Sequence, residues 1–118
     1  MSDADTSVQQ LRDAMRAFVA DRQWQKYHTP KNLAMSLAIE AAELMEHFQW
    51  LDPAESLAVA ASAADKAQVA DELADVLCYA LSLANAMEID VATAVLGKLQ
   101  KNAAKYPADR FQGRYRAD

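Results

Sequence analysis

Four acidic residues stand where apolar side chains would be expected: Glu40 and Glu43 in SLAIEAAELMEHFQW, and Glu72 and Asp75 in VADELADVLCYALSL. Each pair is spaced by three residues, close to a helical turn of about 3.6, so both carboxylates of a pair leave a helix on one side. That side is apolar. Leu33, Leu37 and Leu44 fall at helical spacings around Glu40, and Val69, Val76, Tyr79 and Leu83 do so around Glu72. Carboxylates are costly to bury alone and more costly to bury together, so the quartet implies a counter-charge. Solvated helical acids are the blander reading, but their position in two apolar stripes favours a cation. Oxygen-only ligands without converging Cys or His select a hard ion, Mg²⁺ with Mn²⁺ as a substitute, over zinc. Glu46 is a candidate fifth acid or a rim residue. A di-iron carboxylate bundle would need Glu-x-x-His motifs, and neither His28 nor His47 has that spacing; each is read as a hydrogen-bonding or pocket-edge residue.

Other residues suit a ligand with a flat ring and phosphates. Trp24, Trp50 and Tyr79 bracket the acids; each can be core, and together they can stack on a base. Lys98, Asn102 and Tyr106 recur every four residues on one helical face, with Lys105 beside them. That face can be a solvated edge, or it can grip phosphate oxygens with cationic and amide donors.

Helices must position all of these. A chain of 118 residues with 53% hydrophobic residues, 2 Gly and 3 Pro has ample core material and little turn material, which predicts one all-α domain. The first helix is expected from about Thr6 to Gln25, with Val8, Leu11, Met15, Phe18 and Val19 as its apolar stripe. Thr29-Pro30 reads as an N-cap and first-turn proline opening a second helix to about Gln49. Asp52-Pro53 breaks it, and 54–64 reads as a short helix or irregular link. A third long helix is expected from about Asp65 to Met87, and a fourth from the Asp90 cap to Tyr106-Pro107. The expected domain is 1–107, a four-helix bundle in which the two acidic helices face each other, followed by a flexible or partner-bound tail, 108–118.

Bulk charge excludes some partners. A net charge of −5 and a pI near 4.9 argue against polymeric nucleic acid, which is bound through displaced counterions. The polar start MSDADTSVQQ and the lack of an apolar run of about 18 residues predict a soluble cytoplasmic protein without a membrane partner. Cys78 is the only cysteine, which excludes an internal disulfide, and it reads as core packing.

Taken in order, DRQWQKYHTPKNL, EAAELMEHFQW, ELADVLCY and LGKLQKNAAKYP resemble the MazG-type all-α nucleoside triphosphate pyrophosphohydrolases, most closely their dCTP pyrophosphatase branch. The resemblance covers about Phe18 to Pro107. It implies that Glu40, Glu43, Glu72 and Asp75 hold Mg²⁺; on chemical grounds Glu43 and Glu72 are read as the catalytic carboxylates among them. It also implies a base and sugar pocket at Trp24, Trp50 and Tyr79, and phosphate contacts from Lys98, Asn102 and Tyr106; the residue pattern itself adds His28 at the pocket edge and Lys105 beside the phosphate contacts. The implied reaction converts a nucleoside triphosphate, dCTP or a modified dCTP, to the monophosphate and pyrophosphate, as nucleotide-pool house-cleaning. The implied assembly is a dimer or a dimer-of-dimers tetramer whose neighbouring subunits complete each site. Two departures stand out: Met15 replaces a base-facing histidine of the vertebrate relatives, and Ala103-Ala104-Lys105 replaces an arginine-rich stretch. The alternatives are a non-catalytic helical bundle that uses the acids to bind a basic partner, and a dUTPase-like or broad-specificity hydrolase.

Overall fold

The computed structural model describes residues 1–116, and these form helices with no strand among them. There are four long helices, α1 (Val8–Asp21), α2 (Pro30–Glu46), α4 (Ala63–Met87) and α5 (Val91–Lys105), with the short α3 (Pro53–Ala58) between α2 and α4 and α6 (Ala108–Phe111) after α5. Their starts follow local chemistry. Ser7 and Gln10 close a capping box on α1, Asp52 and Glu55 another on α3, and Thr29, Ser62 and Asp90 each accept a backbone N–H at the start of α2, α4 and α5.

Two boundaries differ from the sequence expectation. The first helix stops at Asp21, because Gln23 takes a left-handed φ of 53°, and residues Gln25–Tyr27 form a separate 3₁₀ turn. The second stops at Glu46, short of Gln49. In 108–118, expected as a flexible or partner-bound tail, Ala108–Phe111 forms one helical turn whose Phe111 ring meets Tyr106 edge-on at 5.2 Å; residues 117 and 118 lie outside the described part.

The chain divides into two compact units, 1–88 and 89–118. In the first, α2 lies along α4, and α1 packs on α4 as well. Leu33, 1% exposed, sits on the inner side of α2, and the expected inner stripes hold: Leu37, Leu44, Val69, Val76, Tyr79 and Leu83 are all at least partly shielded. In the second unit, Asp90 caps α5, and Tyr106 donates its backbone N–H to the Asn102 carbonyl at 2.7 Å.

The apolar stripe expected on α1 is displaced. Val8, Leu11 and Phe18 are exposed, while Arg12 is buried with Val19. The cause lies at the end of α4. Arg12 donates through Nε to Asn85 Oδ1 at 3.0 Å and through Nη2 to the Ala84 carbonyl at 3.3 Å; Asn85 Nδ2 returns a bond to the Arg12 carbonyl at 3.0 Å. A guanidinium thus meets the partial negative charge at a helix C-terminus, which favours cations. Removing the amide should leave a buried charge short of an acceptor. Asn85→Leu is expected to destabilise the fold by about 2–3 kcal/mol, read as a lower urea midpoint at unchanged slope; an unchanged midpoint would show that the Arg12 contacts are dispensable.

Candidate metal centre and adjoining cleft

Because α2 and α4 run alongside each other, their acidic pairs come together. Carboxylate oxygens of Glu40, Glu43 and Glu72 all lie within 4.8 Å of one another. Glu40 Oε2 and Glu72 Oε2 are shielded from solvent and have no hydrogen-bond partner. Desolvation, a hydrogen bond with Glu43 and the like charges of Glu43, Asp75 and Glu72 push the Glu40 carboxyl up to about 7. Desolvation, with repulsion from Glu43 and Asp75, also raises Glu72, and His47 partly offsets this. Orphaned oxygens, an all-carboxylate donor set and acids held against ionisation fit a hard divalent cation. Glu46 is exposed and stands outside the converging trio.

Asp75, one turn after Glu72, links this trio to a cleft. Its charge acts on both Glu40 and Glu72, and it lines a cavity of about 420 Å³ together with Trp24, Tyr79, Phe18, Met15, His28 and Cys78. The aromatic wall is braced. Phe18 and Trp24 meet edge to face at 5.9 Å, and the Arg22 guanidinium lies 3.7 Å over the Phe18 ring. Such a wall suits a flat heterocycle. Cys78, expected in the core, instead lines the cleft; burial and then the Asp75 charge push its thiol up, which disfavours the reactive thiolate.

The first unit therefore brings Trp24, His28, Asp75 and Tyr79 to one cavity beside the carboxylate trio. Trp50 is not among that cavity's lining residues and is 86% exposed. Lys98, Asn102, Lys105 and Tyr106 belong to the second unit, where Lys105 Nζ lies 5.3 Å from the Tyr106 ring centre. A smaller recess of about 210 Å³ shares Met15 and His28 with the cleft and adds Arg16, Gln25, Ser82 and Asn85. None of these four was singled out by sequence. Ser82 and Asn85 fall three residues apart after Tyr79, the one signal that could have placed them on the cleft side of α4.

Residues 35–116 match the MazG-like family. The chain belongs to that family. It is 44% identical to a pyrophosphatase of known crystal structure from Archaeoglobus fulgidus DSM 4304, with a TM-score of 0.80 covering 91% of this chain and 98% of that one. The two therefore share the MazG-like all-α fold. Rat dCTP pyrophosphatase 1 is 34% identical over 109 residues, 92% of this chain and 64% of the relative. The human protein of the same name is 36% identical over 104 residues, 88% of this chain and 61% of the relative. The chain thus spans less than two thirds of the length of these mammalian relatives. Among the described residues no single helix is long and apolar enough to cross a membrane.

Proposed function

We propose that the chain is a Mg²⁺-dependent nucleotide pyrophosphohydrolase that cleaves a nucleoside triphosphate, dCTP or a modified dCTP foremost, between its α and β phosphorus atoms. The products are the monophosphate and pyrophosphate, and the role is the removal of unwanted nucleotides from the pool. The observation that carries this reading is the trio Glu40, Glu43 and Glu72, with unpartnered buried oxygens, placed beside an aromatic cleft that Asp75 also lines.

In this reading Glu40, Glu43, Glu72 and Asp75 hold the cation. When bound, Mg²⁺ or Mn²⁺ supplies positive charge to the phosphate oxygens and to the attacking water. Glu43 orients or deprotonates that water. Trp24 and Tyr79 stack on the base while His28 borders it, and the apolar walls keep bulk water from the reacting phosphate. Lys98, Asn102, Lys105 and Tyr106 supply the cationic and polar donors a polyphosphate needs. Met15 on the cleft wall offers no hydrogen-bonding group comparable to histidine, which supports a looser choice of base.

Assembly into a dimer or a dimer of dimers belongs to the same proposal. Met35, Ile39 and Met45 of α2 and Leu73 and Leu77 of α4 are all exposed, so both acidic helices carry apolar side chains on their outer sides as well. Trp50 would then serve the site of a neighbouring copy.

The decisive experiment incubates the protein with standard and modified nucleotides, with and without Mg²⁺, and measures pyrophosphate and monophosphate separately. Both should appear in equal amounts and only with the cation. Orthophosphate as the first product would overturn α–β cleavage, and no turnover of any nucleotide would favour the non-catalytic binding reading.

A further inference from the structure

Glu72 has two oxygens in different circumstances. Oε1 lies 4.0 Å from Nε2 of His47, while Oε2 is buried without a hydrogen-bond partner, and the carboxylate as a whole belongs to the converging trio. His47 is the C-cap of α2, its backbone N–H directed to the Leu44 and Met45 carbonyls, so the helix end fixes where the imidazole starts. Both side chains are about three-quarters shielded, 27% and 25% exposed, so a polar contact between them competes with less solvent than at an open surface. The separation is in the ion-pair range and longer than a hydrogen bond. Nε2 lies beside Glu72, and His47 stands outside the converging ligand atoms.

We propose that His47 is a positioning residue: it engages one oxygen of Glu72 and so commits the other to the cation. The inference rests on the cation-binding role given to the trio above. Its physical basis is that a metal-binding carboxylate is a better ligand when a second partner fixes its orientation, because less rotamer freedom is lost when the ion arrives. Sequence spacing hides this pairing, since His47 and Glu72 lie on different helices.

Titration calorimetry of MgCl₂ into the full chain tests it, with the original protein, His47→Leu and His47→Gln compared at about pH 8, above the range in which Glu40 takes up its proton. His47→Leu is expected to bind Mg²⁺ about 10–100-fold more weakly. His47→Gln, which keeps an N–H donor, should recover most of that loss. Melting temperatures without metal separate positioning from folding. If His47→Leu melts lower yet binds Mg²⁺ with unchanged affinity, the role is structural and the proposal is overturned. Equal weakness of the leucine and glutamine variants would also overturn it, because the donor would then be irrelevant. Failure of the original protein to bind Mg²⁺ would instead remove the cation reading itself, a result distinct from any difference between the variants.

Discussion

Glu72→Gln should abolish pyrophosphate release while leaving the helices intact. The loss should exceed the roughly 10–100-fold that follows removal of an outer partner of a metal ligand, because this change removes a charged ligand from the trio. Its effect on the metal-free fold should have the opposite sign. The Glu72 carboxyl is raised by desolvation and by repulsion from Glu43 and Asp75, so its ionised form is disfavoured in the folded chain, and a neutral amide relieves that repulsion. A higher melting temperature in EDTA combined with lost Mg²⁺ protection and lost turnover is the expected pattern, readable by circular dichroism and a pyrophosphate assay. Near-normal turnover would count against the metal role.

Stability in EDTA should rise as pH falls from about 7 towards 4.5, and Mg²⁺ should reverse the trend. Glu40 has an ordinary value of 4.5 and about 7 in the folded chain. Between these values the folded state holds a proton that the unfolded chain has released, so stability declines as pH rises through the window. A cation needs the ionised carboxylate and competes with that proton, so Mg²⁺ protection should grow over the same range. At a concentration about 100-fold above its dissociation constant, Mg²⁺ contributes about 2.7 kcal/mol, or on the order of 10 °C in melting temperature for a chain of this size. Melts at several pH values with Mg²⁺ or EDTA check both signs. Protection that does not vary with pH would show that Glu40 releases no proton to the ion.

The gathering of Glu40, Glu43 and Glu72 was legible because charge in an apolar stripe is a local contradiction that sequence displays directly; Asp75 is not among the converging ligand atoms. The caps were legible too, since Thr29-Pro30 and Asp90 act within one helical turn. What escaped was set by the docking of one helix on another. On α1 the periodicity pointed to Leu11, but Arg12 faces inward because the last turn of α4 offers it acceptors 72 and 73 residues away. The nearness of His47 to Glu72 escaped for the same reason. The early end of α1 rests on a left-handed Gln23, a conformation that glutamine does not advertise as glycine would.

The outward Met, Ile and Leu side chains of α2 and α4 bear on behaviour at low abundance. Among the described residues only Val19, Leu33 and Ala84 are buried apolar residues in the lone chain, so a solitary copy has little to hold it folded. If copies cover those side chains for one another, mass action makes thermal resistance depend on dose. Dilution through the dissociation range should then lower heat tolerance and yield per molecule together, and reconcentration should restore both.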